Sequence, residues 1–113
     1  MSQLPNADRA VVEIAKLRDY SLNTEHEIGK HKARVFKAAL GLTFEDAGWL
    51  REIILQAARE EEAHPGPASA FGSKFVVDVI VMRGVRSAPV RTAWIIERGT
   101  DFPRLTSCYV RGK

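Results

Sequence analysis

The sequence predicts an α+β fold in one domain over residues 1–113, with two to three N-terminal helices packed on a three- to four-stranded antiparallel meander sheet. Three observations carry that prediction. Apolar residues recur at helical spacing before Glu60, they alternate with period two after Lys74, and a tract containing two prolines and a glycine separates the patterns. A chain of 113 residues, 45% of them hydrophobic, supports one modest core and not two.

Leu4-Pro5-Asn6-Ala7 reads as a turn. Val11, Val12, Ile14 and Leu17 follow as an apolar run too short to separate a short helix from an extended arm. Asn23 and Gly29 bracket a polar loop. Ala33, Phe36, Ala39 and Leu40 then mark a helix over about residues 30–40, with Gly41 suited to the position just past its end. Thr43 and Asp46 have the spacing of an N-cap and a first-turn acid, and Phe44, Ala47, Leu50, Ile54 and Ala57 trace one face of a longer helix. The tract Ala63-His64-Pro65-Gly66-Pro67-Ala68-Ser69 ends it and serves as a linker, since such residues neither continue a helix nor join a central strand.

A strand over 74–82 places Phe75, Val77, Val79 and Val81 on one side and Val76, Asp78, Ile80 and Met82 on the other, with both faces largely covered. A hairpin loop over 83–89, a strand over 90–97, a connection over 98–103 and a last strand over 104–110 complete the meander.

No apolar run is long enough to span a bilayer, and the first residues lack a secretory signal pattern, so no membrane association and a cytoplasmic location are expected. A single cysteine, Cys108, has no disulfide or CxxC partner and is expected to be packed in its strand. His26, His31 and His64 show no HExxH spacing and no completing carboxylates, so neither a metal nor a cofactor is expected. Phosphate-loop, dinucleotide and serine-hydrolase motifs are also missing from the sequence. The net charge is +3 and the pI is near 9.3. Acid collects at Glu60, Glu61 and Glu62, while Arg83, Arg86, Arg91, Arg98, Arg104, Arg111 and Lys113 load the second half with positive charge. An anionic partner would meet the sheet half.

Two groups of residues suit chemistry on such a partner. His26, Lys30, His31, Lys32 and Arg34 gather around the start of the second helix, where backbone N–H groups already favour an anion; the same pattern also reads as a solvated basic face. Thr92 and Trp94 share a strand face, as do Ser107 and Tyr109, with Arg91 and Arg98 close in sequence. A nuclease that cleaves RNA without metal needs a base for the 2′-OH, an acid for the leaving oxygen and cations for the phosphate, and Trp94 offers a surface on which a base could stack. Trp and Tyr on half-buried strands also serve as ordinary core or cross-strand partners.

Leu4-Pro5-Asn6-Ala7, Lys16-Leu17-Arg18-Asp19-Tyr20-Ser21-Leu22-Asn23, Glu25-His26, Gly29 and His31-Lys32-Ala33-Arg34-Val35-Phe36 resemble an uncharacterised family of small bacterial domains. Val90-Arg91-Thr92-Ala93-Trp94-Ile95-Ile96, Pro103-Arg104-Leu105 and Ser107-Cys108-Tyr109 continue the resemblance over nearly the whole chain. Domains that the chain resembles occur alone and at the ends of large bacterial toxin polypeptides, and the order of helices followed by an antiparallel sheet suggests the barnase, EndoU, colicin and RelE group of metal-independent ribonucleases. That resemblance implies His31 as catalytic base or acid, Lys32 and Arg91 as phosphate ligands, and Thr92, Ser107 and Tyr109 as groups that orient or stabilise the reacting phosphate. His26, Lys30, Arg34 and Trp94 complete the expected RNA contacts. Thr24, Glu27 and Val110 stand where the family commonly has proline, which implies a differently shaped loop around His26.

Two functional expectations follow: a metal-independent ribonuclease or RNA-binding domain of bacterial toxin type, with an inhibitor or immunity protein as partner, and a non-catalytic interaction module. They differ in whether His31 or His26 shares one concave surface with Arg91, Ser107 or Tyr109.

Overall fold

The apolar run at Val11, Val12, Ile14 and Leu17 serves two elements at once in the computed structural model, which describes residues 2–67 and 69–111. Ala68 of the expected linker and Lys113 of the basic half lie outside the described residues. Val11 is an extended arm: its N–H donates to Pro103 O and its carbonyl accepts the Leu105 N–H, each at 2.9 Å. Immediately afterwards the chain turns into α1, Ile14–Lys16, continued by a wide π turn over Leu17–Ser21.

Helix α2 spans Lys30–Leu40 and buries Ala33, Phe36 and Leu40; Gly41, at φ 70°, ends it in the left-handed conformation that a residue without Cβ adopts most readily. Before α3, Ala47–Glu60, the Asp46 carboxylate accepts the Thr43 N–H at 2.9 Å, so the expected first-turn acid reaches back to the backbone of the expected N-cap residue. Leu50, Ile54 and Ala57 face the core as expected, but Phe44 is 56% exposed. It sits in a tighter 3-10 turn, Phe44–Asp46, whose three-residue period throws it out of phase with the helix face.

Among the described residues four strands form the antiparallel order β1-β2-β3-β4: β1 Ala63–Pro65, β2 Gly72–Arg83, β3 Arg86–Glu97 and β4 Arg104–Val110. Part of the expected linker is thus a strand. It is an edge strand of three residues, where the missing N–H of Pro65 is tolerated. The expected hairpin loop over 83–89 shrinks to a two-residue turn at Gly84 and Val85, because Gly84 supplies φ 61° at the first turn position. Pro89 therefore lies within β3, opposite Ile80. It fits because β4 ends at Val110: past that point the neighbouring chain only donates the Arg111 N–H to Pro89 O.

Phe75, Val77, Val79 and Val81 of β2 pair across the register with Trp94, Thr92, Val90 and Ala88 of β3, and this inner face packs against the helices. Among the described residues, no helix packs on the opposite face. Both faces of β2 were expected to be covered; the outer one instead leaves Ile80 62% and Met82 69% exposed. Leu17, Phe36, Leu50, Ile54, Trp94 and Leu105 anchor the single core between helices and inner face. Cys108 belongs to it, and burial pushes its thiol up to about 11, which keeps it protonated and unreactive.

Candidate functional site

Four cationic or titratable residues open α2 at the end where the helix dipole is positive, an arrangement that costs helix stability unless something else engages them. Lys32 is engaged. It follows the exposed His31 and precedes the buried Ala33, so it leaves α2 at the margin of the core-facing stripe and reaches β4, placing Nζ 4.7 Å from the centre of the Tyr109 ring. Lys30 is half-buried, whereas His31 and Arg34 face solvent.

Tyr109 continues a row across the outer sheet face. It lies opposite Arg91, and Arg91 lies opposite Asp78. The Arg91 guanidinium grips Asp78 with two bonds, Nε to Oδ1 at 2.9 Å and Nη2 to Oδ2 at 3.0 Å, and Arg111 Nη1 reaches the same carboxylate at 3.3 Å. The Arg91 bonds, with the charges of Arg111 and His64 adding, hold the Asp78 carboxyl below the usual carboxylate range. Asp78 first, then Tyr109, hold the Arg91 guanidinium more firmly protonated than usual. One carboxylate thus faces two guanidiniums with an ammonium beside them, so the patch keeps a net positive charge. Ser107 shares this face, two residues from Tyr109 and opposite Ala93.

The same face continues toward the start of β2. Phe71, 77% exposed, borders a cavity of about 380 Å³ together with Lys74, Val76, Ala93 and Thr106. Lys74 and Arg98 line an adjoining cavity of about 430 Å³. The Arg98 N–H donates to Phe71 O at 3.0 Å and the Phe71 N–H to Ser69 Oγ at 3.1 Å, which fixes the backbone that presents the ring. Gly72 next to it runs against β3 so closely that a Cβ would collide with the Ile96 carbonyl oxygen.

The structure removes three expected residues from the surface chemistry. Thr92 is 0% and Trp94 1% exposed. Their polar atoms satisfy each other and the sheet: Trp94 Nε1 donates to Thr92 Oγ1 at 2.8 Å, and Thr92 Oγ1 donates to Val77 O at 2.7 Å. Neither the catalytic role expected of Thr92 nor the stacking role of Trp94 has a solvent-facing group to perform it. His26 is committed to its own loop, its Nδ1 accepting the Ile28 and Gly29 N–H groups at 3.0 Å each while its ring meets Tyr20 edge to face at 4.7 Å. Lys32, Arg91, Ser107 and Tyr109 do come together. Sequence reading missed Asp78, Phe71 and Arg111 as members of the patch. An acid alone in a strand of valines signals a cross-strand cation, and Phe71 two residues past Ser69 breaks an otherwise polar connection; either signal was present.

Among the described residues no three His, Cys, Asp or Glu side chains gather as metal ligands, and no helix is long and apolar enough to cross a membrane. Residues 3–112 match the family model described as Domain of unknown function (DUF6883), and the chain belongs to that family. No curated protein and no solved structure matches it.

Proposed function

We propose that this family member binds single-stranded RNA across the outer face of its sheet. The observation that carries the reading is the convergence of Lys32, Tyr109 and Arg91, from a helix and two strands, on one open positive surface. Phosphates meet Lys32, Arg111, Lys74 and Arg98, and the Arg91–Asp78 pair fixes the guanidinium from behind. Bases lie on the rings of Phe71 and Tyr109, since every base has a face to stack whatever its sequence. Ser107 offers a hydroxyl to the sugar or phosphate, and the exposed His31 and Arg34 with Lys30 extend the positive field along α2. Binding of a labelled oligouridylate, followed by fluorescence anisotropy, tests this. Four phosphate contacts give a slope of log affinity against log salt of about −3. Lys32→Ala lowers both slope and affinity, while unchanged binding in Lys32→Ala and Tyr109→Ala together refutes the site.

The ribonuclease reading adds a chemical step to the same surface. The 2′-oxygen attacks phosphorus as its proton passes to a base, and the bond to the 5′-oxygen breaks as an acid supplies a proton. His31, Ser107 and Tyr109 are the exposed or half-exposed residues left for it. Incubation with tRNA in EDTA reads it directly: fragments with wild type that disappear in His31→Ala and Tyr109→Phe support cleavage, and intact RNA with undiminished binding leaves a binding domain.

A further inference from the structure

Strand β1 covers β2 only opposite Phe75, Val76 and Val77. The Gly66 N–H donates to Lys74 O at 2.8 Å, so even-numbered residues of β2 aim their backbone groups toward β1 and odd-numbered ones toward β3. Beyond β1, whose register brings Glu62 opposite Asp78, the N–H and C=O groups of Ile80 and Met82 therefore form an open edge, with no strand beside them among the described residues. Natural sheets protect such edges with charge, proline or cover. Here the two outward side chains at the edge are Ile80 and Met82, among the most exposed apolar residues of the protein. Below the edge, Ile53, Gln56, Ala57 and Glu60 of α3 and the stretch 79–82 of β2 enclose a groove of about 230 Å³.

We infer that the edge over residues 79–82 accepts an extended segment of a partner protein as an added strand. The segment carries apolar side chains at alternating positions and a Lys or Arg beside Glu60 and Glu61. Its apolar side chains on one face fill the groove over Ile53 and Ala57, and those on the other lie against Ile80 and Met82. Charge sets the polarity of the occupant. Glu60 and Glu61 both border the groove and no cation among the described residues lines it, so the α3 side of the edge next to β1 is acidic. Nucleic acid is repelled there.

A phage library of random linear peptides, panned on the intact domain, tests the inference. The expected winners alternate apolar residues and contain Lys or Arg. One of them, synthesised, shifts the wild-type amide resonances of Ile80 and Met82, and binds at least about fivefold more weakly to Ile80→Pro, which removes one edge donor. Proline at this position points its ring at the open edge and leaves the ladder to β3 intact, so melting at the wild-type temperature is the control. Glu60→Lys with Glu61→Lys weakens the same peptide without touching the edge backbone. The inference is overturned by failure to enrich any peptide over an Ile80→Pro bait, by winners whose binding ignores both variants, or by concentration-dependent dimerisation of the wild type that Ile80→Pro abolishes.

Discussion

Thr92→Val changes one hydroxyl to a methyl at a site with 0% exposure, and its consequence separates a core residue from a catalytic one. The substitution leaves Trp94 Nε1, itself buried, without its acceptor at 2.8 Å, a cost of about 2 kcal/mol. It also deletes the 2.7 Å bond to Val77 O, net about 1 kcal/mol because that carbonyl belongs to a strand ladder as well. The added methyl returns about 0.8 kcal/mol through burial. A loss of about 2 kcal/mol remains, a fall of about 8 °C in Tm for a domain of this size. Urea unfolding followed by tryptophan fluorescence measures it, and anisotropy with oligouridylate measures binding on the same sample below the transition. Trp94→Phe in the Thr92→Val background should cost less than the two single changes together, since it removes the stranded donor. Unaltered stability accompanied by lost RNA binding would refute the assignment of Thr92 to the core.

Further outcomes follow from the same structure. Phe71→Ala removes an exposed ring and leaves Tm within about 2 °C, yet weakens oligouridylate binding by about 1–3 kcal/mol, roughly fivefold to more than a hundredfold; equal affinity removes Phe71 from the RNA path. Asp46, held low mainly by the Thr43 N–H, and Asp78, held low mainly by Arg91, both have folded-state pKa values below their unfolded ones. Their stabilisation is therefore complete above about pH 5 and disappears as pH falls through the depressed folded values. Asp78→Asn should flatten the dependence of the urea midpoint on pH between about pH 6 and about pH 3, and an unchanged profile contradicts the pairing. His26→Ala strips the acceptor from two backbone N–H groups of a partly exposed loop and should cost about 1 kcal/mol in thermal unfolding with RNA cleavage or binding little altered. Loss of binding with normal stability would return His26 to the site.

Helix α2 and strand β4 were legible because each carries its own boundary: Gly41 closes the first, and Pro103 precedes the second. The start of β3 was not, since Pro89 reads as a strand breaker until the end of β4 at Val110 shows that its missing N–H lies beyond the β3–β4 ladder. Period two correctly grouped Ser107 with Tyr109 and Thr92 with Trp94. It did not say which face the helices would cover, and a pair of residues with polar tips looks identical inside and outside. Thr92 and Trp94 went inside because their polar groups satisfy one another, which frees them from water. Lys32 was placed in the site for its charge; its neighbour Tyr109 lies far along the chain, a contact set by the packing of α2 over β4.

The most direct test of RNA binding on the outer sheet face is an amide-resolved NMR titration of the labelled domain with oligouridylate. Binding there shifts Phe71, Lys74, Arg91, Ser107 and Tyr109 and leaves α3 unmoved. Shifts confined to α3 and the β2 edge, or none at any concentration that saturates a basic control protein, would contradict it.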